Sequence, residues 1–546
     1  MATQSHLNRK NIGTSTPKLY NRIRSTIETA FYKNNVVEVH SLSDAYELAK
    51  QSPGTIITDL PVYRSTDMGL PSNAKVLLFN DGGITGRQAS ARRIIDDANK
   101  DGFAKQLRES IYHNRDATLY HATVMIGLHE DFTVKAHLLI PGGFENTLYS
   151  WMLNFQSMDE AWFPTYEKSR VFDEGDIYLY SDPDYFIEGH ENGLALFDRD
   201  HNAAALFGLR YFGEHKKASL TMAWSLAKRQ NFTACHGGIK KIKQGSSSPY
   251  IMSVFGLSGS GKSTLTHAKH EGKYSVEVLH DDAFIIENDA LYSISLEPSY
   301  FDKVSDYPTA SEDNRFLLTM QNVGATRDED GLVVPVTQDI RNGNGRAVKS
   351  KFWTPSRAYK FTDPLNAVFW IMKDDTLPPL MKISDPALAS TMGAVLATKR
   401  SSAEEGADPN ALAFVPYANP FRLYALKDDY MNFKYLFERS NVDCYIINTG
   451  SYRGKNITPE TTLGAIESII EDTVNFKPFG GSTMLHYAPI EGYTTNTLDR
   501  DHMNAFTARI DQRLAFLDSL SGENRLPGEA WTRLKTLKEE SSGGRA

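Results

Sequence analysis

A chain of 546 residues exceeds the ~250–300 at which a single hydrophobic core stops growing, so two domains with an active-site cleft between them are the expectation. With 41% hydrophobic and 23% charged residues the composition is that of an ordinary globular protein, which excludes disorder as its working state. A formal net charge of -8, from 67 acidic and 59 basic residues without a long basic run, argues against nucleic-acid or anionic-membrane partners, and no apolar run approaches the ~18 residues that span a bilayer.

The opening residues Met1–Lys10 lack the apolar stretch of a signal peptide, which points to a cytoplasmic location. The chain then reads as mixed α/β, with no internal repeat. Strand-like apolar runs fall at Lys75–Phe79, Ala136–Ile140, Asp176–Tyr180, Tyr250–Leu257, Tyr274–Leu279, Ala367–Met372 and Asp443–Asn448, with helical patterns between several of them. Gln244–Pro249 (QGSSSP) is rich in small, turn-forming residues and reads as a linker near the domain boundary, which we place between residues 235 and 236, giving domains 1–235 and 236–546. Lys399–Pro409 reads as a mobile surface loop or, functionally, as a lid, and the tail Lys535–Ala546 reads as frayed. Two cysteines, Cys235 and Cys444, cannot build a disulfide framework and are read as buried thiols.

The strongest local signal is Gly256-Leu257-Ser258-Gly259-Ser260-Gly261-Lys262-Ser263-Thr264, a phosphate-binding loop directly after an apolar strand. Glycines let successive N–H groups converge on phosphate oxygens, the helix that follows (Ser263–Lys269) points its positive end at them, Lys262 would reach the β- and γ-phosphates, and Ser263 would hold Mg²⁺. The alternative is a glycine-rich turn without a ligand. Downstream, a strand-like run ends in Asp281-Asp282, where a metal-holding carboxylate is needed; paired acids in such a place also serve as a turn or helix cap.

Taken in order, these and further residues resemble the ATP-type phosphoenolpyruvate carboxykinases, over a stretch from about Gly82 into the C-terminal region. The phosphate loop is similar to that family's variant. Tyr211-Phe-Gly-Glu-His-Lys216-Lys217 resembles its Tyr-Gly-Gly-Glu-Met-Lys-Lys, Cys235-His236 stands where the family has a metal-binding histidine, and Thr85-Gly86-Arg87 resembles its substrate-binding Thr-Gly-Arg. Ser356-Arg357 falls at the family's catalytic arginine, while Leu377-Pro378-Pro379 and Asn448-Thr449-Gly450 match signatures near the nucleotide. The resemblance implies a two-domain carboxykinase-like α/β fold with a C-terminal phosphate-loop domain. It also implies conversion of oxaloacetate and ATP to phosphoenolpyruvate, ADP and CO₂, in gluconeogenesis or anaplerosis, by a monomer or small homo-oligomer.

Carried over residue by residue, it implies that Lys217, His236 and Asp282 bind a second divalent cation, for which a nitrogen-containing set suits Mn²⁺ better than Mg²⁺. Lys217 would have to be neutral to do so. Arg87 and Arg357 would grip the anionic substrate through planar guanidinium forks, Tyr211 would line its pocket, and Lys303 would contact the γ-phosphate. Asn456 and Thr462 would border the nucleotide. Without the family, Lys216-Lys217 reads as a solvated pair, His236 as a structural histidine and each arginine as a surface ion-pair partner.

The chain departs from the family at several points. Asn456 replaces a nucleotide-contacting arginine, with Arg453 nearby as a substitute; Pro298-Ser299 replaces paired glycines before Lys303; His280 replaces a glycine before the aspartates. The stretch after Arg87 and the loop Lys373–Thr376 also differ. Two other readings therefore stand beside a carboxykinase: a kinase using the same ATP and metal site on another small acid or a protein hydroxyl, as HPr kinase resembles carboxykinases around the phosphate loop, and a nucleotide-binding protein without turnover.

Overall fold

The computed structural model describes residues 21–80, 92–245, 248–257, 259–308, 311–337, 345–399, 412–439, 442–495 and 499–542. The chain divides into two compact units, one of Met1–Gln230 with Leu296–Pro355, the other of Asn231–Ser295 with Ser356–Ala546. The chain thus changes unit at 230/231, 295/296 and 355/356.

The first unit holds a mixed sheet in the order Val36–Val39, Leu119–His129, Phe132–Pro141, Ile177–Asp182, Ala203–Phe207, Leu194–Asp198, Arg92–Ile94, with Gln156–Ser157 paired beside Leu119–His129. Its long hairpin strand Phe132–Pro141 is buried throughout. A five-stranded sheet runs Tyr300–Lys303, Arg346–Lys349, Leu317–Gln321, Lys75–Phe79, Thr55–Pro61, so the segment that returns after residue 295 completes strands begun far upstream. The helix Phe212–Arg229 is buried on every side from Phe212 to Ala227, its charged first turns with Glu214, His215, Lys216 and Lys217 included. Lys216 and Lys217 are buried with it, 0% and 8% exposed, which overturns the reading of a solvated pair. Lys216 meets Glu297, itself 0% exposed at the side chain, at 2.9 Å.

The second unit is organised on an eight-stranded sheet, Ser275–His280, Gly238–Lys243, Tyr250–Phe255, Ala367–Met372, Asp443–Asn448, Leu380–Ile383, Leu485–Tyr487, Lys477–Pro478. Tyr250–Phe255, Ala367–Met372 and Asp443–Asn448 are parallel neighbours. The unbroken apolar run of Ala367–Met372 follows from covering on both faces: Val368, Trp370 and Met372 enter one core, Ala367, Phe369 and Ile371 the other. A smaller sheet runs Phe232–His236, Ala283–Glu287, Ser293–Ser295, Lys360–Phe361.

Every strand-like run read from the sequence is a strand or lies largely within one. Two readings fail. Gln244–Pro249 connects Gly238–Lys243 to its antiparallel neighbour Tyr250–Phe255 with Ile242 opposite Tyr250, so it is a hairpin connection inside one unit and not a linker. The tail is helical to Ser541, because Ala530, Leu534, Leu537 and Ser541 form a buried stripe and the Glu540 carboxylate accepts from Ser482 Oγ at 2.7 Å and Thr483 Oγ1 at 2.8 Å. Among the described residues no helix is long and apolar enough to cross a membrane. Of the proposed lid, Lys399–Pro409, residues 400–409 lie outside the described residues.

Candidate active site

The three parallel strands of the second unit end at the same edge of the sheet, the side on which open α/β sheets take ligands. Each hands its chain to one piece of the site. Phe255 leads into the phosphate loop, Met372 into Lys373–Thr376, and Asn448 into Thr449-Gly450.

These pieces are tied together. Thr449 Oγ1 donates to the Ser260 carbonyl at 2.8 Å, and Lys373 Nζ donates to the Gly259 carbonyl at 2.7 Å. Asn448 Nδ2 donates to the Asp374 and Leu377 carbonyls, both at 2.7 Å, joining the Asn-Thr-Gly signature to Leu-Pro-Pro. The loop is compact where it leaves the strand: a Cβ on Gly256 would overlap Ser260 Oγ and stand 2.9 Å from Ile371 Cβ. Gly261 has φ +94°, a left-handed conformation natural to glycine, and from it the helix Lys262–His267 starts. Ser258 lies outside the described residues, as does Arg87.

A second group stands beside this helix. Pairing of Phe232–His236 with Ala283–Glu287 sets His236 opposite Ala283, which brings its Nε2 to 2.8 Å from Asp282 Oδ1. Lys262 Nζ lies 3.9 Å from the same oxygen. His280, the residue in place of a family glycine, shapes the turn: its Nδ1 accepts from the Asp282 and Ala283 N–H groups at 2.9 and 3.1 Å. Burial would raise the Asp281 carboxyl, but His267, hydrogen-bonded at 3.2 Å, together with His280 and Lys262 holds it well below the usual carboxylate range. Arg357 is anchored by a backbone bridge to Val278, on the strand that leads to these aspartates, and donates from Nη2 to Ser295 Oγ at 3.1 Å.

Among the described residues no three His, Cys, Asp or Glu side chains form a metal cage. The His236–Asp282 pair nevertheless fits a cation. His236 Nδ1 lies 2.5 Å from the Ala418 carbonyl, which can only accept, so Nδ1 carries a proton and a neutral ring turns its Nε2 lone pair towards the carboxylate. Two electron pairs 2.8 Å apart repel unless a cation or a further proton joins them.

The first unit places Tyr211 just before the helix Phe212–Arg229, 5% exposed, its ring 6.4 Å from that of Phe301. Phe301 and Lys303 share one side of the strand Tyr300–Lys303, and Lys216 Nζ lies 4.8 Å from the Phe301 ring. The start of this helix, with Tyr211 and Lys217, is thereby set against the strand that ends in Lys303. Asn456 is exposed in the hairpin Ser451–Tyr452/Lys455–Asn456, and the Thr462 hydroxyl turns back to the Thr458 carbonyl of its own helix. Arg453, the possible substitute for the lost arginine, is engaged by the Asp499 carboxylate.

Sequence reasoning missed Lys373, Ala418 and Asp374. Asp374 is 1% exposed and meets Arg513 Nη2 at 3.2 Å; burial works to raise its carboxyl, and Arg513 with the Thr376 hydrogen bonds outweighs burial and leaves it lowered. The position of Lys373 at the end of the apolar run Ala367–Met372 is a usable signal, whereas Ala418 acts through a backbone atom and has none. Cys235 and Cys444 are buried, and burial pushes both thiols well up, as inert core residues.

The model of a family described as phosphoenolpyruvate carboxykinase matches residues 62–487 of this chain. The chain is also 26% identical over 312 residues to the phosphoenolpyruvate carboxykinase (ATP) of Aeropyrum pernix, an alignment covering 53% of this chain and 60% of that relative's length.

Proposed function

Since the chain belongs to the phosphoenolpyruvate carboxykinase family, we propose that it converts oxaloacetate and ATP to phosphoenolpyruvate, ADP and CO₂. The observation that supports this reading is the gathering of phosphate loop, Lys262, Asp282 and His236 at the end of one set of parallel strands. Loop N–H groups and the first turn of Lys262–His267 would receive the ATP phosphates, with Lys262 on the β- and γ-groups and Ser263 beside the nucleotide's Mg²⁺. Arg357 and Arg87 would hold the carboxylates of oxaloacetate, and Tyr211 would line its pocket. His236 and Asp282, with Lys217, would hold a Mn²⁺ ion, which when bound supplies Lewis acidity towards the keto oxygen.

Cleavage of the bond to the departing carboxyl releases CO₂ and leaves its electron pair as an enolate. The enolate oxygen then attacks the γ-phosphorus in line as the bridging bond to ADP breaks. Lys262, Lys303 and Arg357 would offset charge on the transferring group.

The test is direct measurement of phosphoenolpyruvate from oxaloacetate, ATP, Mg²⁺ and Mn²⁺, with Lys262→Ala and Asp282→Asn alongside. Product from the native chain that falls at least ~100-fold in both variants is the expected result. If ATP binds and no phosphoenolpyruvate forms, the reaction is wrong, and other small acids and protein hydroxyls become the acceptors to screen.

A further inference from the structure

The Ala418 carbonyl that takes the His236 ring proton belongs to a turn held in a conformation its residues do not favour. Tyr417 and Ala418 have φ +53° and +54°, left-handed values that L side chains rarely adopt, and neither is glycine. Something must hold them there. On one side, Tyr417 is clamped in the core, its ring stacked on Phe433 at 4.7 Å and its hydroxyl donating to the Ser390 carbonyl at 2.9 Å. On the other, Arg422 Nη1 donates to the carbonyls on both flanks of the pair, Pro416 at 3.0 Å and Asn419 at 2.8 Å. Arg422 Nε lies 3.6 Å from Asp429 Oδ2, and Asp429 sits on the helix Leu426–Arg439, 1% exposed. Phe421, at the end of the turn, packs edge-on against the His236 ring at 5.3 Å.

We propose that Arg422, anchored by Asp429, is a positioning residue for His236: it straps the left-handed turn so that the Ala418 carbonyl fixes the ring's Nδ1–H form and aims Nε2 at Asp282. This rests on the reading of His236 and Asp282 as cation ligands. Its physical basis is that an imidazole ligand is oriented by what its other nitrogen donates to, and that loss of such an outer partner costs 10–100-fold in metal affinity. Glycine takes positive φ without strain, so a glycine at 418 has less need of the strap.

The experiment is Mn²⁺ titration of the full chain without nucleotide, following free Mn²⁺ by electron paramagnetic resonance. Arg422→Gln is expected to weaken Mn²⁺ binding about tenfold while ATP affinity, measured with Mg²⁺, stays within about twofold. Adding Ala418→Gly to Arg422→Gln is expected to recover most of the loss, while ATP affinity stays unchanged across the native chain and both variants. Native-like Mn²⁺ affinity in Arg422→Gln, or no recovery with glycine, overturns the proposal. Should Arg422→Gln fail to fold, Arg422→Lys keeps the charge beside Asp429 but lacks the planar fork; it too must weaken Mn²⁺ binding. An independent readout needs no strap variant: ¹⁵N spectra of histidine-labelled native protein, with the His236 signal identified by its absence in His236→Asn, must show a proton on Nδ1, whether or not Nε2 carries a second one, and an Nδ1 without a proton overturns the proposal. His236→Asn also separates the two claims. If it leaves Mn²⁺ affinity native, the cation reading itself fails; if it weakens binding and Arg422→Gln does not, only the positioning role fails.

Discussion

Lys240 shows how one side chain supports the phosphate-loop helix at a cost set by pH. It is 1% exposed, donates to the Leu265 carbonyl at 2.7 Å and faces His270 Nε2 at 2.9 Å, while His270 Nδ1 lies 2.9 Å from Glu467 Oε1. Burial lowers its ammonium to about 7 from an ordinary 10.5, with Glu467 opposing. Between those values the unfolded chain binds a proton that the native chain does not, so this group's contribution to stability rises with pH across that window. Below pH 7 the penalty is complete. Lys240→Met removes it, so the Tm of the variant minus that of the native chain should be greatest near pH 6.5 and fall by a few degrees (~2–4 °C) by pH 9. A difference constant with pH would show that Lys240 does not titrate in that window.

The element that matters most is the strand–loop–helix Tyr250–His267, and its sequence states its shape because each requirement is local. The loop departs from the strand where a Cβ at Gly256 would strike Ser260 and Ile371. Gly256→Ala should therefore deform the phosphate loop by overpacking worth ~1–3 kcal/mol and weaken ATP binding about tenfold, with the far-ultraviolet circular dichroism unchanged; calorimetric titration with ATP checks it, and native affinity would mean the loop yields without loss. The apolar strands Ala367–Met372 and Asp443–Asn448 were legible for the same local reason. What was not legible is what arrives from elsewhere: Lys373 and Thr449 hydrogen-bond to loop carbonyls 114 and 189 residues distant in sequence, and Ala418 serves His236 across 182. Read without the family, Lys216-Lys217 signals solvent because a charged pair does so unless its partner is known, and Glu297 stands 81 residues away in the connection between two strands. Arg87 stands outside the described residues, and its role rests on resemblance alone.

At the scale of the whole chain, the segment Leu296–Pro355 leaves the second unit's sequence to finish the first unit. Its attachment includes the Lys216–Glu297 pair, both members fully buried at 2.9 Å. Breaking such a pair strands a charge in a medium that cannot solvate it, at ~3–5 kcal/mol, whereas exchanging both members for apolar residues is often neutral or better. Glu297→Gln should accordingly lower the Tm of the transition that melts the first unit by several degrees (~5 °C), and Lys216→Met with Glu297→Leu should return it to near the native value. Equal losses in the single and double variants would show that the pair holds the segment by more than its charges.

The same detour has a consequence during synthesis. Lys75–Phe79, five residues of which four are apolar, pairs with Thr55–Pro61 on one side, but its other edge waits for Leu317–Gln321, with Thr319 bonding to Leu77 across 242 residues. At translation rates of ~5–20 residues per second, a nascent chain carries that edge open for roughly 10–50 s. An unpaired apolar edge of this kind recruits other strands, including those of neighbouring nascent chains. The yield of folded protein should therefore depend on holdase chaperones and on growth temperature more steeply than the native fold's own stability would require.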